Sequence, residues 1–190
     1  SDQGGYVNGV MAGMLTKSKI IGVVGPIETG DAKLYVDGFV AGVKSVDPSI
    51  DVRVTYIGSF SDVALAAEAA TTHIAAGADI LTGSAQMVVG AIGKAEEAGL
   101  YWFGTQANQN AFAPKTVVAS QVYHWEVILR EIISLHAAGI MGGHTFSATL
   151  QNGGQVITIN PEIELSEEIK TKVEEVIAGI NDGSIVIPKP

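Results

Sequence analysis

The 190-residue sequence contains no cysteine, which excludes a disulfide framework, a thiolate nucleophile and cysteine-ligated zinc, and leaves the compartment open on that ground. Positive charge is also scarce. Only 11 Lys and Arg stand against 20 Asp and Glu, a formal net charge of −9. No local basic patch reverses that sign, so neither nucleic acid nor an anionic membrane surface is expected as a partner. No apolar run reaches the ~18–20 residues a membrane-spanning helix needs, and no charged-then-apolar signal segment opens the chain. The chain as it stands is therefore expected to be soluble. An initiating Met is missing too: the sequence starts at Ser1, directly ahead of a helical pattern. The expectation is that part of a longer parent precedes it.

What is present is apolar and rich in glycine. With 47% hydrophobic residues the chain can build one sizeable core or two small ones. Its 23 glycines fall at strand ends and helix starts, not in a low-complexity tract. Tyr6, Val10, Met11 and Met14 recur at helical spacing over residues 4–16, and 19–25 then reads as a buried strand. The alternation continues with a helix through Leu34, Phe39 and Val43 ended by Asp47-Pro48, and a strand at 52–57. A helix comes next, capped by Asp62 and stopped by Gly77, and then a strand at 78–81. A fourth step comprises a helix over 87–98 and a strand over 101–104. This repeat predicts an α/β fold with a parallel, doubly wound sheet covered on both faces. Beyond Pro114 the pattern predicts an extended segment at 116–122 and a helix at 125–138. It then predicts a hairpin turned at Asn152-Gly153-Gly154, a helix at 166–180 stopped by Gly183, and an edge strand at 185–187.

Motifs for catalysis are largely absent. Gly25 and Gly30 have phosphate-loop spacing, but Asp31-Ala32 stand where such a loop needs Lys and Ser or Thr, and Pro26-Ile27 break a dinucleotide fingerprint. His73, His124, His136 and His144 are too scattered for a metal spacing. Ser84 lacks the Gly-x-Ser-x-Gly context of a nucleophile. Glu162, Glu164, Glu167 and Glu168 read as the solvated, dipole-favoured start of a helix. No metal, no cofactor and no catalytic residue is assigned.

The segment from Gly99 to Gln109 is different: an apolar strand runs into Gln106, Asn108 and Gln109. Amides donate and accept hydrogen bonds but are poor acids, bases and nucleophiles, so the pattern points to holding a small molecule without transforming it. In an open parallel sheet, ligands sit beyond the carboxyl ends of the strands. That places Glu28 after the first strand, Phe60 after the second, Ser84 and Gln86 after the third, and Gln106 and Asn108 after the fourth. Tyr123 and Trp125 at the next crossing could stack on a flat ligand. Helix capping is the alternative for the polar members, and core packing for Trp125.

Several strings resemble a known family: Lys19-Ile-Ile-Gly-Val-Val-Gly25, Gly38-Phe-Val-Ala-Gly-Val-Lys44, Tyr56-Ile-Gly-Ser-Phe-Ser-Asp62, Gly77-Ala-Asp-Ile80 and Ala113-Pro114. Ser120, His124-Trp125-Glu126 and Leu150-Gln-Asn-Gly-Gly154 extend the likeness over nearly the whole chain. In order and spacing they resemble the basic membrane protein, or PnrA-like, family of ABC-transporter solute-binding lipoproteins. The resemblance implies a type I periplasmic-binding-protein fold in which two lobes close on a purine nucleoside or purine-like base. It also implies an ABC permease as partner and a lipid-anchored, extracytoplasmic parent.

On that likeness residues 17–113 form the second lobe. Residues 1–16 and 114–190 would supply crossover segments and part of the first lobe, completed by a missing N-terminal portion or another copy. Gln106 and Asn108 stand where many family members carry Asp, and Tyr123 where a Lys is often found. Joint loss of both charges is physically coherent and favours a neutral ligand held by amides and stacking. A ligand-sensing domain of a transcription regulator and a nucleoside-processing enzyme remain as alternatives on the same fold.

Overall fold

The computed structural model describes residues 1–188. Helix α1 (Asp2–Leu15) leads into β1 (Ile20–Gly25), α2 (Gly30–Val46), β2 (Asp51–Tyr56), α3 (Val63–Ala75) and β3 (Ile80–Gly83). The chain continues through α4 (Val88–Glu97), β4 (Tyr101–Gly104), β5 (Val117–Tyr123), α5 (Trp125–Ala137), β6 (Gln155–Ile159) and α6 (Glu167–Asp182). The strands form one six-stranded sheet in the order β2-β1-β3-β4-β5-β6, parallel throughout except for antiparallel β6. The α/β, mainly parallel sheet expected from the alternating pattern is the one observed.

Two apolar layers sandwich the sheet. On one face, Val7 and Met11 of α1, Tyr35 and Phe39 of α2 and Ile169 and Val176 of α6 pack on Ile21, Ile80, Phe103 and Ala119. On the other, the alanines of α3 and Ala91, Ile92 and Ala95 of α4 pack on Val24, Leu81 and Trp102. Central strand β1 is apolar along its length because both of its faces are covered. Local signals set the helix ends: the Asp62 carboxylate accepts from Leu65 N–H at 3.0 Å, and Gly183 closes α6 at φ 82°.

Helices α1 and α2 touch backbone to backbone. A Cβ on Gly9 would overlap the Phe39 carbonyl oxygen, and one on Gly42 would overlap that of Tyr6; Gly5 and Gly38 face the same seam. These glycines cost helix propensity, and close approach is what they give in return.

Strands β5 and β6 extend the same sheet as β1 to β4, and α1 and α6 cover its face. Two expectations from the sequence are corrected. The hairpin at Asn152-Gly153-Gly154 is not formed, since β6 takes its partner from β5 (Tyr123 opposite Gln155, Ala119 opposite Ile159) and 145–149 has no strand. Residues 185–187 form no edge strand; Ile187 instead buries its side chain against the core. Helix α5 alone stands clear of the sheet. Only Ile128 on it is buried, while Trp125, Leu129, Ile132 and Ile133 are exposed.

Candidate functional site

Strands β1, β3, β4 and β5 run parallel, so their carboxyl ends share one edge of the sheet, with the reversal of strand order between β1 and β3. Beneath that edge lies a buried polar network. Asn8 Nδ2 donates to the Tyr35 hydroxyl and to the Gly104 carbonyl, both at 3.1 Å. The Tyr35 hydroxyl pairs with Thr82 Oγ1 at 2.8 Å, and Thr82 donates to the Phe103 carbonyl at 2.7 Å. Burial pushes the Tyr35 phenol up to about 12, outweighing the opposing hydrogen bonds from Asn8 and Thr82. It is a neutral strut, tying α1 and α2 to the last residues of β3 and β4.

The loops above this floor hold two residues in backbone conformations that side chains resist. Ala85, just past β3, has φ 75°, and Gln106, just past β4, has φ 69°. Non-glycine residues rarely adopt positive φ, and such strain clusters at functional sites. Gln106 N–H donates to Gln121 Oε1 at 3.2 Å, and its carbonyl accepts from Tyr123 N–H at 3.1 Å. The strained turn is thereby joined to the end of β5.

Tyr123 is the hub of the edge. Its hydroxyl donates to Asp31 Oδ2 at 2.8 Å and pairs with Ser1 Oγ at 2.5 Å, while its ring centroid lies 4.8 Å from that of Trp125. Burial, reinforced by the Asp31 charge, pushes the Tyr123 phenol well up from its ordinary value of 10.0. It stays a neutral hydrogen-bonding group. A hollow of about 500 Å³ opens here, lined by Asp2, Asp31, Tyr123, Trp125, Phe146 and Thr149 among others.

The residues expected at the site fall into separate places. Gln106, Tyr123 and Trp125 stand together at the β4 and β5 ends. Ser84 is buried at the β3 end, with Gln86 exposed beside it; the adjoining Met87 N–H donates to the Phe60 carbonyl at 3.1 Å and leaves the Phe60 ring half exposed. Glu28 lies elsewhere, 3.7 Å from Lys33 in a hollow shared with Asp37 and Tyr56 against α2. Asn108 is exposed, and its Oδ1 accepts from Asn110 N–H at 2.9 Å, closing a local turn. Gln109, the third amide of the cluster, faces inward. It accepts from Trp102 Nε1 at 2.8 Å and donates to the Thr105 carbonyl at 3.0 Å. It braces the core at the β4 end.

The sequence reading missed Asp31, Phe146, Asn8 and Gln121. Asp31 has a signal in the sequence: it opens a helix directly after the first strand-end loop. Phe146 had none, because its neighbours are reached only through the fold. Among the described residues, no three or more His, Asp or Glu gather as a metal site would require, and no helix is long and apolar enough to cross a membrane.

The sheet is an open, doubly wound α/β sheet with a hollow at its carboxyl edge, and solved structures of solute-binding and regulatory proteins superpose on it. An ABC transporter solute-binding protein from Conexibacter woesei superposes with a TM-score of 0.81 at 22% identity, covering 98% of this chain and 63% of that one. A transcriptional activator of the comK gene from Bacillus halodurans superposes at 0.86 with 17% identity, covering 100% and 65%. Identities this low show the fold alone. The chain belongs to the family described as ABC transporter substrate-binding protein PnrA-like, which matches residues 1–189. A purine-binding protein of Brucella abortus is 27% identical over 185 residues, or 96% of this chain and 51% of that protein. The ABC transporter nucleoside-binding protein BmpA of Lactococcus lactis is 27% identical over 206 residues, or 98% and 58%. The chain thus spans little more than half the length of these relatives.

Proposed function

We propose that this chain is the sheet-bearing part of an ABC importer's solute-binding protein, and that it holds a purine nucleoside or purine-like base at the carboxyl edge. The observation that carries the reading is the hollow lined by Asp31, Tyr123 and Trp125, with the Gln106 turn joined to Tyr123 through its carbonyl. A carboxamide and a carboxylate offer hydrogen bonds to ring nitrogens and hydroxyls, and Trp125, 57% exposed, offers a stacking face. The purine- and nucleoside-binding names of the two relatives support that ligand class. Ser84, Gln86 and Phe60 would border the same crevice, with Asn108 at its rim and Glu28 outside it.

The uncovered apolar face of α5 is the seat for the rest of the fold, whether the remainder of a longer chain or another copy. Closure of that part over the edge would dehydrate the ligand and sharpen its hydrogen bonds. The intact protein would be a lipid-anchored, extracytoplasmic lipoprotein delivering its ligand to a permease. Catalysis is not part of the reading, because the sequence carries no catalytic motif and the family is one of substrate-binding proteins. Calorimetric titration of the full-length protein with adenosine, guanosine, inosine and hypoxanthine tests this, with chromatography of the recovered ligand. Saturable binding with intact ligand is expected; conversion to base and ribose, or no binding, overturns it. The likeness to the comK activator favours a second reading as a regulator's ligand-sensing domain, which a DNA-binding segment in the parent chain would support.

A further inference from the structure

Gln106 occupies a conformation that an L-residue resists, with φ 69° and an exposed side chain. Two hydrogen bonds hold it there. The bond from Tyr123 N–H to its carbonyl is backbone only and would survive almost any substitution at 123. The bond from its own N–H to Gln121 Oε1, at 3.2 Å, depends entirely on one side chain.

That side chain is expensive to keep. Gln121 is fully buried, and its Nε2 finds no partner among the described residues. A buried carboxamide with an unsatisfied donor costs stability, so an apolar residue would serve the core better. Helix α1 is also shaped around it: a Cβ at Gly4 would overlap Gln121 Cγ, while Gly4 N–H turns to Gln155 Oε1 at 3.2 Å. What Gln121 supplies in exchange is control of the loop above it.

We propose that Gln121 is the positioning residue of the ligand site. Its oxygen clamps the Gln106 N–H, fixes residue 106 in the left-handed conformation, and so keeps the Gln106 carboxamide at the edge where ligand is recognised. Gln121 itself does not touch the ligand. The inference rests on the carboxyl edge being the purine site.

The test uses Gln121→Leu, Gln106→Gly and the double variant of the full-length protein, titrated with adenosine, guanosine, inosine and hypoxanthine, with amide exchange at residue 106 followed by NMR. Gln121→Leu should raise Kd about tenfold or more and speed exchange at residue 106. Glycine accepts positive φ without a clamp, so adding Gln121→Leu to Gln106→Gly should change Kd by less than about twofold, the mark of two residues acting as one unit. A lower Tm with unchanged Kd and unchanged exchange in Gln121→Leu would overturn the proposal, as would equal losses of affinity in both backgrounds. Should wild-type protein bind none of the four compounds, or Gln106→Gly bind like wild type, the purine-site reading fails. The exchange rate at residue 106 then still decides whether Gln121 is a clamp.

Discussion

The Tyr123 hydroxyl donates to the Asp31 carboxylate at 2.8 Å, across 92 residues of sequence, and so fastens the end of β5 to the first turn of α2. The ring of Tyr123 meanwhile supports Trp125. Tyr123→Phe separates the two roles, because it keeps the ring and removes the hydroxyl. Calorimetry should show purine affinity falling by about 0.5–1.5 kcal/mol, the net worth of one hydrogen bond, with a larger loss for Trp125→Ala. Equal affinity of both variants with wild type would move the pocket elsewhere.

Glycines in the helices make opposite predictions according to what surrounds them. Gly9→Ala and Gly42→Ala push a methyl into a facing carbonyl, and overpacking of this kind costs about 1–3 kcal/mol, more than the helix propensity gained. Gly93, inside α4, has nothing within 4 Å of where a Cβ would sit. Gly93→Ala should therefore stabilise by about 0.5–1 kcal/mol. Denaturant midpoints of the three variants would show whether the signs differ as stated.

Stability should fall on mild acidification. Burial holds the His73 imidazole below its ordinary 6.5, so the unfolded chain binds that proton more readily than the folded one. The stability contribution is present in full above pH 6.5 and is lost progressively as pH drops below it. Unfolding free energies measured from pH 7.5 down to about 5 should show this slope, and His73→Leu should flatten it.

Helix α5 should behave as a sticky surface in the chain taken alone. Leu129 is 54% and Ile133 66% exposed, and an apolar patch of this kind invites association. Replacing them together with Gln and Glu should reduce dye binding and self-association while leaving the melting temperature unchanged. A substantial drop in melting temperature would mean that the face is covered within the chain.

Much of the sheet was legible because a doubly covered strand must be apolar throughout, a rule β1, β3 and β4 largely follow, whereas edge strand β2, mostly exposed, shows itself by Val52 and Val54 alternating with polar residues. The chain beyond Pro114 was harder to read, since β6 is specified by pairing with β5 across a loop and a helix, a relationship no local pattern encodes. The site shows the same division. Gln106, Asn108 and Gln109 are chemically alike in sequence, and only the left-handed turn at 106 and the indole N–H of Trp102 sort the exposed amides from the buried one. Tyr123 and Trp125 could be named from their type and place, but Asp31 and Phe146 become neighbours of theirs only through folding.

The glycine-lined seam between α1 and α2 has a consequence for the energetics of recognition. With the two backbones in contact there is no layer of side chains between them to rearrange, so the pair behaves as a single rigid lever. Asn8 and Tyr35, beneath the carboxyl edge, and Asp31, at the hollow of the proposed site, ride on that lever. Their spacing is therefore preorganised, and the ordering entropy of ligand capture falls mainly on the loops at the ends of β3 and β4.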